Sequence, residues 1–431
     1  MPTHPALAMQ PHLADRGALL ARFQDTRDVT VALTAHLDPE DMVLQAMPDA
    51  SPTKWHLAHT TWFFEAFLLA EHEAGHAPHD PAYALLFNSY YEAKGPRWQR
   101  AERGLLSRPT VREVRAYRAA VDERVGALAG ALTDEAWGRA APVIALGIEH
   151  ERQHQELLLT DVKAALALNP LSPAAFPPAP EGLTPVPPGG WTEYAAGLDR
   201  FGHGGDGFCF DNELPRHPRY VHGFALAAAP ATNRDVAEWM DDGGYERPDH
   251  WLSDGWAWVQ REGVTGPRYW RERDGQRFEF TLHGEVPLRP EAPACHLSAY
   301  EAAAYAAWSG ARLPTEFELE VALRAADRGQ GRFLDPGGLI HPSAPPAAPS
   351  GPRGLYGHVW EWSSSGYEAY PGFRAPEGAV GEYNGKFMSG QQVCRGGSCA
   401  TPAGHVRASY RNFFPAHARW QFTGVRLARD A

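Results

Sequence analysis

No stretch of this 431-residue chain approaches roughly eighteen consecutive apolar residues, so the sequence holds no candidate membrane-spanning helix. Its opening segment, Met1 to Gly17, carries Pro, His and Asp where a secretory leader needs an unbroken apolar core, and a cytoplasmic location is expected. Positive charge is short as well: 40 Lys and Arg stand against 52 Asp and Glu, a net charge of −12. A chain this acidic is a poor non-specific ligand for nucleic acid or for an anionic membrane, and neither partner is expected. Cysteine is scarce. Cys209, Cys295, Cys394 and Cys399 show no CxxC spacing, which argues against a disulfide framework and against a thiolate zinc site. Buried, inert thiols are expected, although Cys394 and Cys399 are near enough in sequence to pair across a turn. No repeat of fixed period is present.

Apolar and aromatic residues, by contrast, are plentiful. They make up 44% and 11% of a chain longer than one ordinary core holds, so two domains are expected. Tryptophan, at 14 copies, suits pockets or a turn-rich fold held by indoles. Residues 15–168 read as mostly helical. Asp15 to Leu37 spaces Leu19, Leu20, Phe23, Val29 and Leu33 at helical intervals. Ser51-Pro52 offers an N-cap and a proline for the first helical position, and Trp55, Leu57, His59, Trp62, Phe63, Ala66, Phe67 and Ala70 keep the period beyond it. A loop rich in His, Pro and aromatics, Gly75 to Gly95, leads to a third helix over Thr110 to Leu132. A fourth runs from Pro142 to Leu168 and stops at Asn169-Pro170. Four long helices with mostly short connections predict an up-and-down bundle, in which metal sites are built from facing helices. Residues 169–190 are dense in proline and read as a stiff, extended linker. Residues 191–431 turn to Gly, Trp and short runs between turn residues, with helices expected only over Thr232 to Met240, Ser298 to Trp308 and Pro314 to Ala325. The fold class expected is therefore α+β, a helical bundle followed by a compact domain of irregular strands.

The fourth helix holds the most informative stretch, Ile148-Glu-His-Glu-Arg-Gln-His-Gln-Glu156. Val143, Gly147, His150, His154, Leu157, Asp161 and Ala165 share one face at three- and four-residue steps, so His150 and His154 are neighbours on an inward stripe. Two neutral imidazoles buried side by side are poorly satisfied without a common partner, and a metal ion supplies one. Hydrogen-bonded core histidines are the plainer alternative. A metal site for oxygen chemistry needs a few protein ligands and open positions. His59, on the packing side of the neighbouring helix, is the favoured third ligand, with His56 as its competitor. Glu156 is a candidate acceptor for a ligand imidazole, or else a solvated helix charge. Spacing does not choose the ion: three imidazoles suit Zn(II) at least as well as Fe(II).

His59 together with the His150 to Glu156 pattern resembles the metal-binding bundle of DinB-type proteins. The second half resembles the formylglycine-generating-enzyme (sulfatase-modifying factor) fold, related to C-type lectins. The segments that carry this likeness are Thr232-Asn-Arg-Asp235, Arg312-Leu-Pro-Thr-Glu316, Gly357-His-Val-Trp-Glu-Trp362 and Arg395-Gly-Gly-Ser398. The two modules in this order are similar to the ergothioneine sulfoxide synthases, non-haem iron enzymes that join a cysteine-type thiol to hercynine (N-α-trimethylhistidine) with O2. The resemblance implies Fe(II) on His59, His150 and His154, with hercynine and the thiolate beside it and room for O2. The domains it implies are a DinB-like bundle at 15–168, the linker at 169–190 and the formylglycine-generating-enzyme-like domain at 191–431, with the active site between bundle and C-terminal domain.

The same likeness implies roles for single residues. Gln153 matches the position that contacts hercynine, and Asn412-Phe413 matches the segment that holds it, where an aromatic face suits a trimethylammonium. Family members that use γ-glutamylcysteine carry Asn-Trp-Asp-Tyr-Pro here; Phe414 stands at the aspartate's place. Tyr90-Tyr91, followed by Arg97, Arg100 and Arg103, resembles the cysteine-using branch. There the paired tyrosines lie beside the oxygen site and arginines bind the donor carboxylate. A guanidinium grips a carboxylate through two hydrogen bonds, so Arg100 and Arg103, at helical spacing, are the candidate clamps, with a solvated basic face as the plainer alternative. Tyr91 is favoured over Tyr90 as the catalytic hydroxyl. Cys399 follows Arg-Gly-Gly-Ser where the family often has Trp, so a packing role is expected for it. The activity implied is an O2-dependent hercynylcysteine S-oxide synthase using L-cysteine. The same reaction with γ-glutamylcysteine, an ovothiol-type synthase acting on histidine, a DinB-type metal-dependent thiol transferase and a non-catalytic binding module are the alternatives.

Overall fold

The structure, a computed structural model, describes residues 13–178, 189–346, 351–377, 381 and 383–431. The chain divides into two compact units. One comprises Met1–Leu171 with Gly205–Asp211 and Arg374–Lys386; the other comprises Ser172–Gly204, Asn212–Phe373 and Phe387–Ala431. Two excursions from beyond the proline-rich stretch thus fold with the helical unit.

Four helices build the first unit: α1 (Arg16–Leu33), α2 (Thr53–Phe64), α3 (Val111–Ala131) and α4 (Asp134–Leu166). Local chemistry sets most of their ends. The Asp15 carboxylate accepts from the Ala18 amide to start α1, and Thr110 and Glu113 form a reciprocal capping box on α3. α4 begins at Asp134 rather than at Pro142, because the Thr133 hydroxyl caps it and Asp134 and Glu135 sit favourably in its first turn. Pro142 is carried inside the helix at the loss of one backbone hydrogen bond. Ser51 does not cap α2. Its hydroxyl accepts from Arg103 and its amide donates to Asp161, and the cap position falls to Pro52. α2 then runs into a π-helical turn, Glu65–Leu69.

α2 packs against both α3 and α4, and α1 against α4. The α2–α4 approach is close because residue 147 is glycine: a Cβ there would sit 2.6 Å from Cζ of Phe64. On the α1 side, α4 buries a charge. Glu151 accepts from Arg27 (2.7 Å), from the Thr30 hydroxyl (2.6 Å) and from Arg118. Burial alone would raise its carboxyl, but the guanidinium groups of Arg118 and Arg27 hold it down at about 2.

The second unit is built on short sheets. β1 (Trp191–Tyr194), β4 (Phe224–Ala227) and β12 (Ala428–Asp430) form one; β2 (Gly197–Phe201) and β3 (His217–Val221) form a hairpin; β5 (Trp270–Arg273), β6 (Gln276–Thr281) and β7 (Gly284–Pro287) form a meander. The fourth runs in the order β10 (Asn412–Pro415), β9 (Gln391–Arg395), β8 (Trp360–Gly366), β11 (Thr423–Gly424). Helices α5 (Asn233–Asp241), α7 (Ala299–Trp308) and α8 (Glu316–Ala325) fall where the sequence predicts helix. Between them α6 (Ser253–Glu262) was not legible: it has no side-chain N-cap bond, and its Trp256 and Trp258 read as turn-rich sequence.

Three of the four motifs that carry the family likeness contribute Glu316, Glu361 and Arg395 to this unit's buried ionic core. Glu316 is held by Arg395 and Arg411, each at 2.8 Å, and Glu361 pairs with Arg426 at 2.7 Å. All four cysteines are buried, and none forms a disulfide. Of the proline-rich stretch 169–190, residues 179–188 lie outside the described residues. Before them the chain is docked rather than free: the Ala175 and Phe176 amides both donate to the Leu282 carbonyl. Among the described residues no helix is long and apolar enough to cross a membrane.

Replacing Glu151 leaves Arg118 buried without its carboxylate partner and Arg27 with Asp122 alone, 2.7 Å away. Glu151→Gln should cost about 3–5 kcal/mol in the denaturant midpoint of unfolding. The Glu151 carboxyl is depressed on folding, so its contribution is complete above its ordinary value of 4.5 and is lost as pH falls towards about 2. Acid titration of stability should show that loss in the wild type and not in the variant.

Candidate metal centre

His56 and His59 lie one turn apart on α2, and His150 and His154 one turn apart on α4, so the glycine-enabled contact sets two histidines against two. His59, His150 and His154 gather. One ring nitrogen from each lies within 4.8 Å of the others, and Nε2 of His59 is 3.2 Å from Nε2 of His150. Two nitrogens each about 2.1 Å from one ion at a right angle are about 3 Å apart, so this spacing suits a shared metal.

Each ring is held neutral. Burial, then the neighbouring His150, lowers the pKa of His59 well below the ordinary value; burial likewise brings His150 down to about 3. His154 is lowered well below the ordinary value by burial and then by His150 and His59. Neutral imidazoles present lone pairs, the form a metal needs.

The hydrogen bonds say which nitrogens are available. His59 Nδ1 lies 2.6 Å from the Phe87 carbonyl, which can only accept, so Nδ1 carries the proton and Nε2 the lone pair. His150 Nδ1 is buried and has no partner among the described residues. With its proton on Nε2, His150 leaves a buried lone pair at Nδ1. With the proton on Nδ1, that N–H is orphaned and two Nε2 lone pairs face each other. Protein alone does not satisfy this ring, whereas a cation at the Nε2 atoms removes the clash of lone pairs. The donor set therefore fits a divalent transition metal.

His56 is not the third member. Its Nδ1 faces His154 Nδ1 at 2.8 Å, and its Nε2 faces Asp161 Oδ2 at 3.1 Å, so both nitrogens are engaged.

Around the cluster, Trp55 stacks on His59 (4.6 Å between centroids, 12°), and the Arg103 guanidinium lies 3.4 Å from the Trp55 ring centre. Arg103 is buried and donates to the hydroxyls of Ser51 (2.9 Å) and Ser89 (3.4 Å), and it forms no salt bridge among the described residues. Burial, and then the nearby Arg100, work against its charge. Arg100 itself is exposed and donates to the Asp49 carbonyl, and Arg97 is exposed and paired with Glu92. Tyr91 is fully buried against Phe67, Phe63 and Trp62, with its hydroxyl 3.4 Å from that of Tyr90.

One residue of this neighbourhood was invisible in the sequence. Tyr383, carried by the excursion Arg374–Lys386, donates to Oε1 of Gln153 and turns its ring edge towards His150 at 5.6 Å and Tyr90 at 6.2 Å. Phe210 stacks on it at 5.5 Å. It lies 230 residues from Gln153, and no local pattern marks it.

In the second unit, Asn412, Phe413 and Phe414 form β10 and are all half-buried. Phe413 stacks on Tyr367 (3.9 Å, 10°) with Phe387 at 6.1 Å, whereas Phe414 meets Trp362 edge-on at 6.4 Å. Successive strand residues face opposite ways, so these two rings have different neighbours. The Asn412 side chain accepts from the Phe413 amide.

Known proteins share this organisation. Residues 22–158 match the DinB superfamily, and residues 181–338 and 341–431 match the sulfatase-modifying factor enzyme 1-like domain. The chain is 33% identical to the hercynine oxygenase of Mycolicibacterium smegmatis over 97% of this chain and 98% of that protein. It is also 33% identical to the hercynine oxygenase of Mycobacterium tuberculosis, over 91% and 94% respectively. Against the formylglycine-generating enzyme of Streptomyces coelicolor it is 30% identical over 60% of this chain and 92% of that one. With relatives matched along nearly their whole length and a histidine cluster fit for a metal in its DinB-type bundle, the chain belongs to the hercynine oxygenase family.

Proposed function

We propose that this protein is a cytoplasmic, Fe(II)-dependent sulfoxide synthase that makes hercynylcysteine S-oxide from hercynine, L-cysteine and O2. The observation that carries the reading is the neutral cluster His59, His150 and His154, three lone pairs on one locus in a chain of this family. Its products balance: the imidazole C–H and the thiol S–H are lost, a C–S and an S–O bond form, and the second oxygen atom leaves as water. Fe(II) held by the three histidines would supply O2 activation and favour the thiolate, chemistry that no side chain here offers.

The rest falls to the chain's own residues. Arg103, buried and with no carboxylate partner among the described residues, binds the cysteine carboxylate; a buried cation of this kind is stabilised by an anion. Arg100 is the outer member of that pair. Tyr91, with Tyr90 beside it, holds the proton that the oxygen chemistry draws on. Gln153, oriented by Tyr383, contacts the hercynine imidazole. Asn412 and the Phe413 ring hold the trimethylammonium end, which cannot donate hydrogen bonds and is stabilised by aromatic faces. Phe414, apolar where γ-glutamylcysteine users carry an acid, favours the shorter donor. The net charge of −12 supports small-molecule partners and no nucleic acid.

Aerobic turnover of hercynine with Fe(II) and each thiol, followed by mass spectrometry and O2 uptake, should give the S-oxide, with kcat/KM higher for cysteine than for γ-glutamylcysteine. No sulfoxide with either thiol removes the assignment. Use of histidine in place of hercynine would mark an ovothiol-type synthase, and turnover without O2 a thiol transferase. Tyr91→Phe should slow S-oxide formation by about 100- to 10,000-fold at unchanged Fe(II) affinity; an unaltered rate excludes Tyr91 from proton transfer. Arg103→Met should raise KM for cysteine by about 10- to 150-fold, the worth of a hydrogen bond to a charged group, and leave KM for hercynine in place.

A further inference from the structure

Behind the three-histidine cluster lies a second polar chain that the proposed reaction does not use. Asp161, two turns beyond His154 on α4, is buried, as is His56 on α2. Asp161 Oδ2 accepts the Ser51 amide at 2.8 Å and faces His56 Nε2 at 3.1 Å. His56 Nδ1 in turn faces His154 Nδ1 at 2.8 Å.

The proton positions along this chain follow from one end. A carboxylate only accepts, so His56 Nε2 carries a proton. In a neutral ring that leaves Nδ1 with a lone pair, and an acceptor at 2.8 Å from His154 Nδ1 requires the proton there. His154 then has its lone pair on Nε2, the nitrogen left for an ion. The Ser51 amide, fixed at the entry to α2, anchors the carboxylate from which this order propagates. His59 reaches the same state by a shorter route, through the Phe87 carbonyl at 2.6 Å. Two of the three rings thus have their donor nitrogen chosen by an acceptor on the opposite side.

We propose that His56 and Asp161 are positioning residues for the metal, a carboxylate–imidazole relay that sets the tautomer and orientation of His154. The proposal rests on the metal reading above and deepens it. Orienting partners of this kind are worth about 10–100-fold in metal affinity. It also accounts for a second histidine one turn before His59 that is buried but has no nitrogen free for the ion. His56→Asn keeps an acceptor near the position of Nδ1, whereas His56→Leu fills similar space and keeps none.

The test uses the full-length protein, stripped of metal and titrated anaerobically with Fe(II), with nitrogen NMR of histidine-labelled apo-protein as a readout independent of turnover. The expected result is that His56→Leu binds Fe(II) about 10–100-fold more weakly, that His56→Asn restores the affinity, and that His154→Ala abolishes the shared site. In the apo-protein, the His154 proton should sit on Nδ1 in the wild type and His56→Asn, and distribute over both nitrogens in His56→Leu. A purely structural role for His56 would alter stability without moving that proton. Wild-type affinity and a wild-type His154 tautomer in His56→Leu would overturn the relay while leaving the metal site standing. A wild-type protein that takes up no Fe(II), or a His154→Ala variant that takes it up unchanged, would overturn the metal reading and the relay with it.

Discussion

Everything around the site follows from holding three uncharged imidazoles where two helices meet. His59 and His150 are buried between α2 and α4 and His154 is half-buried beside them, so a protonated ring there is costly and the three stay neutral. Neutrality makes them ligands, but it also means that each nitrogen needs a partner of the right kind. The Phe87 carbonyl serves His59, and the His56–Asp161 chain serves His154. His150, with one nitrogen orphaned and the other against His59, is the ring the protein leaves unsatisfied. Structural histidines are normally completed by the fold; this one is not.

The helix that delivers two of these rings is charged on its other side. Glu151 sits beside His150 in sequence yet points to Arg27 and Arg118 on α1 and α3. Such a network contributes less to net stability than its short contacts suggest, because the desolvation of its four charges, Asp122 on Arg27 included, offsets much of their attraction. Its effect is to make one rotation of α4 far better than any other, since turning the helix would bury Glu151 against apolar rings and expose the histidines. The second unit uses the same device, with Glu316 between Arg395 and Arg411 and Glu361 on Arg426. There the motif residues hold strands and helices in place.

What could be read in advance divides by range. The HxxxH step, the inward stripe of α4 and the partner helix bearing His59 are periodic features, legible because helical geometry is local. The start of α4 was misread at Pro142 because proline is a strong local signal, and a cap with many buried contacts behind it outweighed that signal. Arg100 and Arg103 looked equivalent in sequence; burial separates them, since Arg103 lies over Trp55 inside the unit and Arg100 is exposed. His56 read as a rival ligand, and only the position of Asp161 on the facing helix turns it into a hydrogen-bond carrier.

Local patterns were enough for the elements: two histidines on one face of a long helix, the helix opposite, the proline-rich break and the strand-rich second half. Those follow from patterns within a few turns, where spacing translates directly into direction. Distant segments set which nitrogen of His59 and of His154 is open, which arginine is desolvated, and that Tyr383 reaches Gln153 from 230 residues away. Each of these depends on acceptors and burial supplied by distant segments, and no local spacing encodes them.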